Sequence, residues 1–361
     1  MAKHQILGID AGVDRLKLAL VEDGYVLDAV AVKMPENLVK EGKFTSTELL
    51  SELIAKTLKD NGIKATNAAF VMSNSSVYVK NVKMPMMTKD QLTYNLPYEF
   101  NDYITGEVKD YVFDYAVLPP DDKDEDEDKA EKTAATTEAT ASTTTEGTEP
   151  AADEPKEETL NLMAVGGRRD DIENIAAMLS RAGLKLVKAA PAICAYISLI
   201  RQQMETLSQT TDEFGILDLG YDSVRMYMFK GDRHVATREL DVGLSSLDTV
   251  IADLYNVEIH LAHTYLLNNF ENCLDREECR QAYENIAIEL MRALNFYKFS
   301  NPDSNLTDLW LCGGAAAINP LAMSIGEMLD MRLHTASELV MDGEEIPDCN
   351  SFVQAIGIAI D

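Results

Sequence analysis

Residues 7–20 read LGIDAGVDRLKLAL, and residues 215–228 read GILDLGYDSVRMYM. With Asp10 laid over Asp218, Gly12 falls on Gly220, Asp14 on Asp222 and Lys17 on Arg225, while Leu16, Leu18 and Leu20 fall on Val224, Met226 and Met228. Each copy is an apolar run, a bend at glycine and a second run with alternating apolar positions, the pattern of a strand-turn-strand hairpin. Glycine at such a bend lets the backbone approach a ligand closely, so its N–H groups can be aimed at an anion. Two facing hairpins of this kind make a clamp.

The surroundings of the two hairpins repeat as well. ILGID, RLKLALVE and VLDAVAVK read as a meander that turns at Asp23-Gly24, and FGILDLG, RMYMFK and HVATREL read as a second. After the first meander, Thr45-x-x-Glu48 predicts a capped helix that stops at Asn61-Gly62, followed by a buried strand at AAFVM. A second capping box, Thr88-x-x-Gln91, starts a helix that Pro97 must kink or break. Helices are also expected at DDIENIAAMLSRAG, closed by Gly183, from near Pro191, and over most of 245–298. A strand at LTDLWLCGG, a helix from Pro320 to Leu329 and a last helix at FVQAIGIAI complete an α/β plan executed twice.

The chain has 361 residues, enough for two cores, and a formal charge of −29, which argues against nucleic acid or an anionic membrane surface as a direct partner. No run is apolar enough to span a membrane, and MAKHQILGID enters a strand without signal-peptide organisation. A cytoplasmic protein is expected. Five scattered cysteines without Cys-x-x-Cys fit reduced thiols. The tract 121–158 has no Leu, Ile, Val, Met, Phe, Tyr or Trp and carries 15 acids against 4 bases, a net −11, so the rest of the chain holds −18. With nothing apolar to bury, disorder is expected there. YVFDYAVL before it and LNLMAV after it predict a hairpin with an overgrown loop.

Three glycine turns carry the candidate site. Asp10 and Asp218 open the two hairpin turns, where a carboxylate can hold a hydrated magnesium ion bound to phosphates. A third turn, Cys312-Gly313-Gly314-Ala315, ends an apolar strand at a place suited to a base and sugar. His260 and His263 lie three apart on an expected helix, but no third ligand stands at a recognisable spacing for a metal.

The two Asp-x-Gly hairpins, the link Lys188-Ala189-Ala190-Pro191, the LCGGAA turn and FVQAIGIAI resemble the phosphate, connecting and adenosine elements of the actin, sugar kinase and heat-shock chaperone ATPase superfamily. IDAGVDRLKLALVE, SNSSVYVKNVKMPMMTKDQLTYNLPYEFNDYI, NLMAVGGRRDDIENIAAMLSRAGLKLVKAAPAICAY and ATRELDVGLSSLDTVIADLYNV narrow the likeness. They resemble the PilM family, actin-like cytoplasmic proteins of type IV pilus assembly related to the division protein FtsA. The resemblance implies a two-domain actin-like, ribonuclease H-like fold. Its parts are a domain 1 core over 1–87 and 184–212, an FtsA-type inserted subdomain over 88–183, domain 2 over 213–350 and a closing C-terminal helix over 351–361. It implies a PilN-like inner-membrane partner bound through its short cytoplasmic N-terminal peptide, recruitment to the membrane by that partner rather than by insertion, and room for self-association. Met84, Met86, Met87, Tyr94 and Tyr98 on the inserted subdomain are the candidate partner surface, since soft Met side chains suit grooves that accept peptides. An FtsA-like ATPase is the alternative, and a sugar kinase a more distant one. FtsA itself would call for a terminal amphipathic helix, and a kinase for an acidic base beside a sugar loop; neither is read here, and no catalytic residue is assigned.

ATP with magnesium is the implied ligand, at Asp10, Gly12, Val13, Asp14, Lys17, Asp218, Gly220, Tyr221, Asp222, Gly313, Gly314 and Ala315. The chain departs from its relatives there. Where they carry small hydroxyl residues after Asp-x-Gly, it has Val13-Asp14 and Tyr221-Asp222, and where they carry Ala-Glu-x-x-Lys for the ribose, it has Ala262-His263-Thr264-Tyr265-Leu266. A carboxylate about 5 Å from a phosphate charge costs roughly 3 kcal/mol at an effective dielectric near 20, so weak nucleotide binding is expected. The other reading is that Asp14 and Asp222 face solvent or pair with Arg15 and Arg225, leaving the backbone cradle intact.

Overall fold

A computed structural model describes residues 5–40, 42–118, 159–207 and 213–360, which form two compact units, one of 1–75 with 173–361 and one of 76–172. The acidic tract 121–158 lies outside the described residues.

The larger unit begins with an antiparallel meander, β1 (Gln5–Ala11), β2 (Arg15–Glu22) and β3 (Tyr25–Lys33). Asp23 and Gly24 both have positive φ, 50° and 85°, which gives the hairpin a turn matched to strand twist. A short ribbon, β4 (Val39–Lys40) with β5 (Lys43–Phe44), leads to the helix Thr47–Asn61. Its cap is Ser46, whose hydroxyl accepts from Leu49 N; Thr45, expected to cap it, instead donates its hydroxyl to Asn37 O, 2.8 Å, so the start moves by one residue. Leu50, Ile54 and Leu58 face inward, Leu49 is exposed, and Gly62 closes the helix in the left-handed region. β6 (Asn67–Met72) then pairs parallel to β1.

In the smaller unit β7 (Val77–Pro85), β8 (Tyr111–Leu118) and β9 (Thr159–Arg168) form a sheet with β9 in the middle. The expected hairpin is β8 with β9, in antiparallel register from Tyr111↔Arg168 to Leu118↔Asn161. The Thr88–Gln91 capping box is present and starts the helix Lys89–Asn95. Pro97 breaks it as anticipated, and the chain continues as a 3-10 turn over Leu96–Phe100. Val82, Met84, Leu92, Leu96, Phe100, Leu162 and Ala164 are the core of this unit.

The helix Arg169–Arg181 begins in the smaller unit and runs into the larger one at Glu173; it is followed by β10 (Lys185–Pro191), parallel to β6, and by the helix Ala192–Leu207. The second meander is β11 (Glu213–Leu219), β12 (Val224–Lys230) and β13 (Arg233–Leu240). Helices Leu244–Tyr255, Ile259–Leu267 and Glu277–Ser300 follow, then β14 (Asp308–Cys312), helix Asn319–Leu329 and β15 (Arg332–Thr335). The two sheets have matching orders, β10-β6-β1-β2-β3 and β13-β12-β11-β14-β15 read in opposite directions. The duplication is therefore one of whole sheets.

The last helix, Cys349–Ala359, joins them. A side chain at Gly8 of β1 would place its Cβ 1.7 Å from Ala355 O, and one at Gly357 would come 2.3 Å from Ala195 O of the helix Ala192–Leu207. Backbone contact that close needs glycine on both sides. It seats Gln354, a polar residue in a buried apolar helix, beside the ends of β1 and β11.

Candidate functional site

The β1–β2 and β11–β12 turns are built alike: Gly12 N donates to Arg15 O, 3.0 Å, and Gly220 N to Ser223 O, 3.2 Å. Both glycine amides are thus turned into their own bends and not toward a ligand. The second turn is also bolted to a helix start, because Leu244 N and Ser245 N donate to Gly220 O and Tyr221 O at 3.1 and 2.9 Å. Those two donors of the helix N-terminus are taken by the protein itself.

Asp10 and Asp218 are both buried, at 9% and 6% exposure. Asp10 Oδ2 lies 3.0 Å from Lys17 Nζ, its cross-strand neighbour. Burial works against the Lys17 charge, yet Asp10 and Asp218 outweigh it and hold the ammonium above its ordinary pKa. Asp218 Oδ2 accepts from Gln354 Nε2, 2.8 Å, which also donates to Tyr196 Oη, 2.9 Å, and Tyr196 Oη meets Cys312 Sγ at 3.4 Å. Burial raises Asp218 above the ordinary carboxylate range in spite of Arg225 and Lys17. A lysine ammonium therefore supplies the positive charge at the carboxylate expected to take magnesium. Among the described residues no cluster of three or more His, Cys, Asp or Glu could hold a metal.

The third turn is only partly open. Gly313, at φ 88°, packs so that a Cβ would lie 2.6 Å from Leu219 O and 2.7 Å from Asp218 Oδ1; Ala315 is buried, and only Gly314 faces open space.

Asp14 is not a bare charge. Its Oδ1 lies 3.3 Å from His263 Nε2 and its Oδ2 lies 3.5 Å from Arg15 Nε. His263 Nδ1 is 2.9 Å from Asp248 Oδ2, which also accepts from Tyr221 Oη at 2.8 Å. Tyr221 further sets its ring edge-on to the imidazole, 5.5 Å between centroids. The hydrogen bonds to Asp14 and Asp248 raise His263 to about 9, and burial only partly opposes them. In turn Asp14 is lowered, since burial is outweighed by His263 and Arg15. Asp14 thus has a partner that sequence spacing could not supply, because the pair is 249 positions apart. Asp222 is exposed, and partial burial leaves its carboxyl somewhat raised although Arg225 pulls it down. Val13 is exposed and carries no polar group. His260 is exposed while His263 is buried, so the two histidines do not converge.

Of the partner-surface candidates, Met86, Tyr94 and Tyr98 are exposed at 56%, 71% and 55%, with the two tyrosine rings 6.1 Å apart. Met87 is partly buried against the core, and Met84, at 5%, lies inside it. Met84 is corrected to a packing residue. It faces the same way as Val82 because side chains two apart on a strand share a face.

The family model described as type IV pilus assembly protein PilM matches residues 8–146 and 146–341. The chain belongs to the PilM family. Among solved structures, a chain of the PilM-PilN type IV pilus biogenesis complex is 19% identical, with 98% of this chain and 97% of that one covered at a TM-score of 0.74. The ethanolamine utilization protein EutJ from Carboxydothermus hydrogenoformans is 14% identical, with coverage of 98% and 88% and a TM-score of 0.55. A sequence search of curated proteins gave no match. The fold is the actin-like one, and PilM membership carries it to type IV pilus assembly.

Proposed function

We propose that this PilM-family chain is a platform at the cytoplasmic face of the inner membrane that takes the short cytoplasmic tail of a PilN-like membrane protein. The observation that carries the reading is the end-to-end match to a chain of the PilM-PilN complex together with the family match. The charge of −29 and, among the described residues, the lack of any helix long and apolar enough to cross a membrane support recruitment through a partner. Met86, Tyr94 and Tyr98 are our candidates for the tail's apolar contacts, because extended peptides need an apolar floor for alternate side chains.

Nucleotide is at most a weak ligand in this reading. Lys17, His263 and Arg15 each lie against a carboxylate, both glycine amides are satisfied internally, and neither turn offers a Ser or Thr at the two positions directly after its glycine. Were magnesium-ATP to enter, Asp10 and Asp218 would face the metal and Lys17 the phosphates. Calorimetric titration of the full-length protein with a synthetic peptide of the PilN-like N-terminal segment is the test. Saturable binding that Met86→Ser with Tyr94→Ala weakens at least tenfold, in a folded variant, is expected. Failure of any peptide to bind, or loss of binding only on substitutions in 213–350, would refute the assignment.

A further inference from the structure

We propose that Asp14 is a built-in anion that ties the two halves of the cleft together: His263, from the second half, holds the carboxylate of the first-half turn where a phosphate would otherwise sit. The inference rests on reading this cleft as the nucleotide cleft of the PilM family, and it deepens that reading by naming what stands in for the ligand.

Four elements supply the network: the β1–β2 turn (Asp14), the helix Ile259–Leu267 (His263), the helix Leu244–Tyr255 (Asp248) and the β11–β12 turn (Tyr221). His263 is 5% exposed, and both of its ring nitrogens face carboxylate oxygens. An ionised carboxylate only accepts, so both nitrogens must donate and the ring is an imidazolium. Asp248 is fully buried, and its Oδ2 also accepts from Tyr221 Oη at 2.8 Å. Asp248 orients the ring through its 2.9 Å contact to Nδ1. The contact to Asp14, 3.3 Å against 2.9 Å to Asp248, is the longer one and the one a competing anion would break. The remaining charges in view are Arg15 and Lys33, which both favour an ionised Asp14, and Asp222, which adds its field at Tyr221. Among the described residues no equivalent network is built on Asp222, which is exposed, its carboxyl raised by partial burial and lowered by Arg225. The arrangement closes the cleft without phosphate and makes any entering phosphate displace Asp14.

The test uses the full-length protein, first without nucleotide. In a histidine NMR titration from pH 5 to 10, His263, identified by its loss in His263→Gln, is expected to stay protonated well above pH 8, and Asp14→Asn to lower its midpoint by a unit or more. An ordinary midpoint, or one that Asp14→Asn leaves alone, overturns the proposal. Hydrogen exchange at pH 7 is expected to quicken about tenfold at residues 10–16 and 257–267 in Asp14→Asn but not in Asp222→Asn. Equal effects of the two, or none, overturn it, and Asp14→Asn, a change at a turn, carries this arm if His263→Gln fails to fold. Calorimetry with magnesium-ATP then separates the two readings. Asp14→Ser should bind about tenfold more tightly than wild type, with Asp222→Ser nearly unchanged. Absence of ATP binding in every variant, with the first two results as expected, keeps the internal tie and removes the nucleotide reading.

Discussion

Two rows of side chains, one in each half of the duplication, start from the same pattern and end in different bonds. Across the first sheet the row is Asp10, Lys17, Ala31; across the second it is Asp218, Arg225, Glu239, in the same cross-strand register. Lys17 faces Ala31, which offers nothing, and so reaches Asp10 at 3.0 Å. Arg225 faces Glu239 and bonds its Oε1 at 2.7 Å, which leaves Asp218 to Gln354 of the last helix. Directly opposed charges on neighbouring strands are close enough to compete for a partner. One methyl group against one carboxylate, two strands away, thus decides whether a buried aspartate keeps a cation.

The largest test of this contrast is Lys17→Met beside Arg225→Met. Removing Lys17 strands a buried charge, so a loss of about 3 to 5 kcal/mol in urea unfolding is expected. Arg225 shares a partly exposed pair, and its removal should lower stability by about 1 kcal/mol. Equal losses would break the comparison. Next, Gly8→Ala should destabilise by about 3 kcal/mol or prevent folding, because its Cβ meets the backbone of Ala355, and overpacking against backbone has little relief. Gly215→Ala meets the end of the Leu309 side chain, which can turn aside, and about 1 kcal/mol is expected.

The turns themselves differ in pH response. His263 is raised from 6.5 to about 9, so its contribution is complete below pH 6.5 and is lost as the pH rises through about 9. Asp14 is lowered, so its share is present above its ordinary 3.8 and is lost as the pH falls through the lowered value. The pair is intact across neutral pH, and the two shifts describe one interaction. Wild type should exceed Asp14→Asn by up to about 3 kcal/mol at pH 7, with the gap closing above pH 9, while Asp222→Asn shows no such trend. Thermal melts across that range decide it. The smallest effect is Glu239→Ala. Stability should change by about 0.5 kcal/mol, but Arg225 is freed to turn to Asp218, whose carboxyl pKa should fall toward the ordinary range, as read by carboxyl NMR.

Much of this was legible from residue order. Alternation and Gly bends marked both meanders, Thr88 and Gln91 announced their helix, and FVQAIGIAI read as the last helix, although Gln354 within it was not singled out. The Ser46 cap was missed because Thr45, Ser46 and Thr47 are all competent to cap, and only the tertiary acceptors at Asn37 and Leu38 draw Thr45 away. Met84 and Met86 looked alike in sequence, yet Met84 lies within β7 on the buried face of Val82, while Met86 follows the strand's end at Pro85 and is exposed.

By itself the sequence determined the repeated hairpins, the α/β architecture and the likeness to the PilM family, because these rest on local periodicity and on motifs a few residues long. Only the tertiary structure decided where the charges go: His263 to Asp14 across 249 positions, Gln354 to Asp218 across 136, and Lys17 rather than Arg225 to its aspartate. Ion pairing in a buried site depends on distances of a few ångströms between residues remote in the chain, and those are set by the packing of whole sheets and helices.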